Sequence, residues 1–158
     1  MREIVRYRSE HFGGVDALWK DAFPTDNAWN DAAVAIPETT RFQPDLMLVA
    51  LEDNVIVGSV MAGYDGHRGW ISRIAVLRSH QKKGIGEALI SAAEERLAAL
   101  GCIKVNLQVV ESNSVVIEFC ERAGYQVEKR ISMSKILRHG MSTRPSPERW
   151  LHRPSCGD

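Results

Sequence analysis

RSHQKKGIGEALISAAEERLAALG, residues 78–101, decides how the rest of the chain is read. Two lysines and two glycines stand immediately before the clearest helix in the sequence, from about Gly84 to Leu100. Ile85, Leu89, Ala92, Arg96 and Ala99–Leu100 trace one stripe, and Gly101 sits where a C-terminal glycine stop belongs. The first turn of a helix leaves about four N–H groups without intrahelical partners, and the macrodipole adds roughly half a positive charge there. Gly84 and Gly86 let a bulky anion come close to that backbone. Lys82 and Lys83 add less, since an exposed charge pair is worth only ~1 kcal/mol at ~4 Å in water. The turn is suited to a pyrophosphate; a tight turn that holds nothing accounts for the same residues.

Known phosphate-loop patterns narrow the choice. G-x-x-x-x-G-K-[ST] is absent, and Leu89 stands where the third glycine of G-x-G-x-x-G belongs. Q-x-x-G-x-G fits, as Gln81-Lys82-Lys83-Gly84-Ile85-Gly86 between a strand and a long helix. Upstream, IVRYR (4–8) reads as a strand, and Ser9 caps a helix carrying Phe12, Val15, Trp19 and Ala22 until Pro24 stops it. NDAAVAI (30–36) gives a short second helix before Pro37. LMLVAL (46–51) and VIVGSVMAGY (55–64) flank a hairpin turn at Glu52-Asp53-Asn54, and DGHRG (65–69) turns into the strand WISRIAVL (70–77). Downstream, IKVNLQV (103–109) alternates, Ser112 or Asn113 caps the helix SVVIEFCERA, and YQVEKRISMSKIL (125–137) returns as a strand. The order β-α-α-β-β-β-α-β-α-β predicts an α/β domain with a mixed sheet and helices on its faces.

A chain of 158 residues, 44% hydrophobic, suits one domain, here residues 1–137, followed by a flexible Pro-, Arg- and Ser-containing tail, 138–158, or one that docks on a partner through Trp150 and Leu151. Twenty basic residues balance twenty acidic ones, so bulk charge gives no case for nucleic acid or anionic lipid. Cys102, Cys120 and Cys156 have neither disulfide-framework nor zinc-ligand spacing, and no metal is expected. No signal peptide and no membrane-spanning run is evident, so the expected location is cytoplasmic, as a monomer or homodimer.

RIAVLRSHQKKGIGEALI resembles the central cofactor motif of the GNAT family of N-acetyltransferases, and NSVVIEFCERAGY resembles its second motif, an asparagine opening a helix that ends in Gly-Tyr or Gly-Phe. GYDGHRGW with the upstream AWND resembles, more narrowly, the small bacterial YpeA-like branch; the likeness covers residues 3–137. The resemblance implies the GNAT fold and acetyl-CoA as cosubstrate. Ile74, Ala75 and Val76 would then offer backbone groups to the pantetheine arm and thioester. Gln81, Lys82, Lys83, Gly84, Ile85, Gly86 and Glu87 would wrap the pyrophosphate, and Asn113 would bond the cofactor arm. Strands 70–77 and 103–109 would splay so that the cofactor fills the gap. Arg78, His80 and Lys82 depart from the family pattern at loop positions, where affinity rather than identity should change.

Cys120, seven residues past Asn113, stands where the family commonly has the tyrosine that protonates the departing thiolate. A thiol near ~8.5 can donate a proton as a phenol near ~10 does, but with shorter reach. Cys120 donates, Tyr125 or solvent substitutes, the site is catalytically feeble, or the cysteine only fills space. For the base that deprotonates the acceptor amine, His67 and Asp65 are the nearest candidates, with a plain turn as the alternative. Trp29, Asn30 and Asp31, with Tyr64 opposite, are the candidate contacts for a small-molecule or peptide amine; Trp19 reads as core. An acyl-CoA-binding sensor or docking module without catalysis fits the same motifs.

Overall fold

Five strands pair in chain order: β1 (Arg2–Arg6), β2 (Met47–Glu52), β3 (Val55–Tyr64), β4 (Arg68–Val76) and β5 (Lys104–Leu107). The computed structural model describes residues 1–137, and among these the helices are α1 (Phe12–Ala22), α2 (Ala32–Phe42), α3 (Ile85–Ala99) and α4 (Ser114–Arg122). The β1–β2, β2–β3 and β3–β4 junctions are antiparallel, whereas β4 and β5 are parallel and need α3 as their crossover. This is the expected mixed-sheet fold with helices on both faces.

Alternation along the strands sorts side chains between the two faces. Leu48, Ala50, Val60, Ala62 and Ile71 pack with Ile85, Leu89, Ile90, Ala93 and Leu97 of α3. Met47, Val49, Leu51, Met61 and Ala75 pack with Val15, Leu18 and Trp19 of α1 and Ala32 and Ile36 of α2. Because both faces are covered, β2 and β3 read as nearly unbroken apolar runs. Asp53 and Asn54, at φ 50 and 64, make the two-residue hairpin turn whose twist matches its strands.

Several sequence expectations change. The buried stripe of α3 is Ile85, Leu89, Ile90, Ala93 and Leu97, while Leu100 is 53% exposed. Ile90 and Leu97 bring more apolar area than Ala92 and Ala99, and the helix is rotated to bury them. Pro37 lies inside α2 instead of ending it. The carbonyl its ring cannot pair with belongs to Ala33; both residues are exposed, so water can satisfy it. A single 3-10 turn, Ser9–His11, leads into α1 in place of a serine cap. Residues 125–137 form no strand: Val127, Ile131 and Met133 are 72%, 90% and 89% exposed. Apolar spacing marks side chains able to share a face, but here those side chains stand exposed, without the burial that stabilises a strand face. Chain packing divides at Val127, with a second unit from Glu128 onward. The tail, 138–158, with Trp150, Leu151 and Cys156, lies outside the described residues.

Leu89 is wholly buried, so Leu89→Ala should cost about 2–5 kcal/mol in urea unfolding, whereas Leu100→Ala should stay within about 0.5 kcal/mol. Equal costs would contradict the observed helix register.

Candidate functional site

Two features meet at the C-terminal end of β4. β4 and β5 pair from Arg68↔Lys104 to Ile71↔Leu107, so among the described residues no strand pairs with Ser72–Val76 on that side. The parting begins at a bulge: Met61 faces Ser72 and Ser59 faces Ala75, which sets Arg73 and Ile74 against the single residue Val60. Arg73 has φ 54, the left-handed region that such bulges normally give to glycine. For a side-chain-bearing residue this costs roughly 1–3 kcal/mol. The splay expected from the sequence is therefore present, and Ile74, Ala75 and Val76 lie in it.

α3 starts at the same end. Its cap residue Gly84 has φ 75, and no side chain caps the helix. The first intrahelical bond runs from Ala88 N to Gly84 O at 3.1 Å, so the amides of Ile85, Gly86 and Glu87 precede the ladder. The two glycines differ. A side chain on Gly84 would enter open space, and only its positive φ requires glycine. Gly86 is buried, and a Cβ there would meet Phe119 Cζ at 2.9 Å, so it lets α4 pack on α3 instead of admitting an anion.

Neighbouring groups brace this turn. Arg2 Nη1 donates to the Lys83 carbonyl at 3.1 Å, while Arg2 Nε and Nη2 hold Glu52 Oε2 at 3.0 and 2.8 Å. His80 lies 4.0 Å from Glu52. The Arg2 hydrogen bond, outweighing some desolvation, holds the Glu52 carboxyl below its usual range, with His80 and Lys83 helping. Gln81 Nε2 donates to the Val76 carbonyl at 3.3 Å, and Lys82, at φ 61, and Lys83 are exposed. Asn113 is the N-cap of α4; its Oδ1 accepts from Val116 N at 3.3 Å, which leaves the amide NH2 as its donor side. Open backbone beside a strand, helix-start amides and an uncrowded Gly84 fit an elongated, amide-bearing diphosphate such as coenzyme A.

On the opposite face of the sheet lies a cavity of ≈ 120 Å³ lined by Asp16, Trp19, Phe23, Asp26, Asn30 and Asp31, together with Lys20, Arg73 and neighbouring apolar groups. Lys20 pairs with Asp16 at 2.6 Å, and Arg73 pairs with Asp26. Asp26 Oδ1 also accepts from Asn30 Nδ2 at 2.8 Å and Asn27 N at 2.7 Å. Burial opposes ionisation of Asp26, but these hydrogen bonds and the guanidinium outweigh it and hold the carboxyl below its ordinary value. Asp31 is the N-cap of α2, yet its side chain makes no capping bond. Trp19 is both core, at 3% exposure, and cavity wall.

The other candidates lie elsewhere. Trp29, 45% exposed, is in the 3-10 turn Ala28–Asn30 and does not line the cavity. Tyr64 packs on the α3 face and donates to the Gly66 carbonyl at 3.0 Å, so it cannot stand opposite Asn30 and Asp31. Asp65 Oδ1 accepts from His67 N and Arg68 N at 2.8 and 2.7 Å, which builds the turn and holds its carboxyl low. This turn precedes β4, whereas the gap opens beyond Ile71; at ~3.3 Å per residue, His67 is more than ~15 Å from the bulge. Asp65 and His67 are therefore remote from the gap. Tyr125 Oη donates to Glu94 Oε1 at 2.7 Å, and burial and then this carboxylate push its phenol well up. Cys120 is 5% exposed, and burial raises its thiol. Among the described residues no group of three or more His, Cys, Asp or Glu could hold a metal, and no helix is long and apolar enough to cross a membrane.

The sequence reading missed Asp26, Arg73, Ser59 and Phe119. Arg73 carried a signal, as the one charged residue between Trp70 and Leu77 of an apolar strand.

Residues 13–125 match the acetyltransferase (GNAT) family. An acetyltransferase of Pectobacterium atrosepticum is 40% identical over 135 residues, covering 85% of this chain and 95% of the relative. One from Yersinia pestis is 38% identical over the same shares, 85% and 95%. Among solved structures, Ard1 from Thermoplasma volcanium superposes with a TM-score of 0.74 at 20% identity, over 80% of this chain and 84% of that one. Aminoglycoside N-acetyltransferase AAC(6')-Iy in complex with CoA gives 0.70 at 20% identity, over 86% and 95%. The NatC complex bound to Gag peptide and CoA gives 0.72 at 21%, over 82% and 87%.

A lowered native pKa makes the Asp26 contribution to stability complete above the unfolded value of ~3.9, and lost as pH falls through the native value. Asp26→Asn should therefore lower Tm at neutral pH and match the wild type in strong acid. A Tm gap that persists unchanged into acid would contradict the ion pair.

Proposed function

We propose, for a chain that belongs to the acetyltransferase (GNAT) family, that it acetylates a primary amine of a small molecule or peptide by direct attack on acetyl-CoA. The chain is an acetyltransferase, and acetyl-CoA is its acyl donor. Its placement in the small bacterial YpeA-like branch rests on GYDGHRGW, residues 63–70, and AWND, residues 28–31. The observation that carries the proposal is the parting of β4 from β5 beside the uncapped start of α3.

In this reading the amides of Ile85, Gly86 and Glu87 take the pyrophosphate, with Gly84 giving it room. Gln81 shapes the turn, Lys82 and Lys83 add diffuse positive charge, and the Asn113 amide bonds the cofactor arm. Acetyl-CoA supplies an acetyl group activated as a thioester. Backbone N–H groups among Ile74, Ala75 and Val76 stabilise negative charge as it develops on the carbonyl oxygen; one such donor is worth about 10²–10³ in rate. The cavity between α1 and α2 takes the acceptor. Lys20 and Arg73 already have carboxylate partners there, and Asp31, whose charge also reaches Lys20, attracts a cationic amine together with the Trp19 ring. At ≈ 120 Å³ the cavity admits one amine-bearing arm and not a whole large acceptor. With Asp65 and His67 remote, the ammonium proton leaves through solvent.

Cys120 gives its proton to the departing thiolate. Burial raises its thiol, which keeps it protonated at neutral pH and makes the transfer uphill; the proton that the nitrogen sheds after attack restores Cys120 through solvent. Tyr125 is committed to Glu94.

The test is thiol release from acetyl-CoA with spermidine, an aminoglycoside and peptides bearing a free N-terminus or lysine. One acetylated amine per thiol is expected. Binding of CoA by calorimetry without turnover on any of these would replace catalysis with an acyl-CoA-binding role. Cys120→Ala should lower kcat by about 10²–10⁴ with the acetyl-CoA KM unchanged. An unchanged kcat would assign the proton to solvent.

A further inference from the structure

Arg73 occupies a backbone conformation that suits glycine, yet its side chain is only 13% exposed and engaged throughout. Its guanidinium pairs with Asp26 and lies 4.7 Å from the centre of the Phe23 ring and 5.4 Å from that of Trp19. Its carbonyl accepts from Ser59 Oγ at 3.2 Å, and the same wholly buried hydroxyl accepts from Trp19 Nε1 at 2.8 Å. Asp26 in turn gathers Asn27 and Asn30. One residue thus joins, through its main chain, the bulge that parts β4 from β5 and, through its side chain, the segment 23–31 that walls the small cavity. A glycine would relieve the backbone and release that wall. The strained conformation is kept together with a side chain that spans the two features.

We infer that Arg73 is a positioning residue: it latches the acceptor-side segment 23–31 onto the bulge, and so fixes the distance between the acceptor amine and the amides of Ile74–Val76. Arg73 lines the cavity with its guanidinium already held by Asp26, so it acts on the amine by placing that wall. The guanidinium lies over the Phe23 and Trp19 rings while Asp26 pairs with its Nη2. A lysine, with a compact ammonium in place of a flat fork, restores charge without that fixed geometry. Asp26 and Arg73 act as one unit, so losing both should be little worse than losing either. The inference rests on the acetyltransferase reading for its kinetic consequence, and on geometry alone for the latch.

Two measurements on the full chain separate these. In amide hydrogen exchange, Arg73→Gly should speed exchange across residues 25–31 by about tenfold, while protection of Ile85–Glu87 by added coenzyme A stays as in the wild type. In turnover with the best amine of the panel above, Arg73→Gly should lower kcat/KM for the amine by about 10–10² with the acetyl-CoA KM unchanged. Arg73→Lys should recover part of the loss, and the Arg73→Gly, Asp26→Asn double variant should match the singles. Unchanged exchange over 25–31, or acetyl-CoA and amine parameters falling together, would overturn the latch. Faster exchange in a protein whose wild type acetylates nothing would uphold the latch and refute the enzymatic reading.

Discussion

The extra residue at Arg73–Ile74 is the constraint on which the site depends. Two residues of β4 facing one of β3 bend and twist the strand, and beyond Ile71 it leaves its parallel neighbour. Paired to its end, the β4–β5 junction would satisfy every main-chain group and leave nowhere for an extended ligand. Parted, it exposes donors and acceptors that an amide-bearing chain can satisfy. The crossover helix must begin near the carboxyl end of β4, so its positive pole falls at the mouth of the same gap. Chain direction therefore places a helix start and a length of open strand edge side by side, the two features the proposed cofactor site requires.

The two faces of the sheet divide the work. On the α3 face, Phe119 closes on Gly86 and Tyr125 on Glu94, which docks α4 against the crossover helix. On the other, α1 and α2 enclose a small polar cavity between two aromatic rings and several carboxylates. β4 is the layer between them, and its bulge serves both. Bracing of the glycine turn comes from far away in sequence: Arg2 reaches the Lys83 carbonyl, and Glu52 stands between Arg2 and His80. A rigid turn presents its amides without further ordering when a phosphate arrives, which favours binding.

Much of this was legible in the sequence because the strongest signals are local. Apolar runs bounded by Asp53-Asn54 and by Asp65-Gly66 marked the meander, and Gly84 marked the turn into α3. The unread parts depend on partners distant in the chain. Nothing near Gly86 announces that its missing side chain makes room for Phe119. Pro37 looked like a helix end because the sequence does not show that it and Ala33 both face water, and Tyr64 looked like a pocket wall because a loop hides which face a strand's last residue takes. Arg73 and Asp26 are 47 residues apart, and only the folded sheet brings them together. For 125–137, alternating apolar residues suggested a strand, yet Val127, Ile131 and Met133 find no apolar cover and stand exposed.

The central claim is that the gap beside β4 and the first turn of α3 together hold acetyl-CoA. Backbone amide chemical shifts followed during titration with coenzyme A test it most directly. The account predicts saturable shifts concentrated at Ile74–Val76 and at Gln81–Glu87, with Arg68–Ile71, where the strands are zipped, unmoved. Saturation with no change at either segment, or the largest changes on a different face of the sheet, would contradict it.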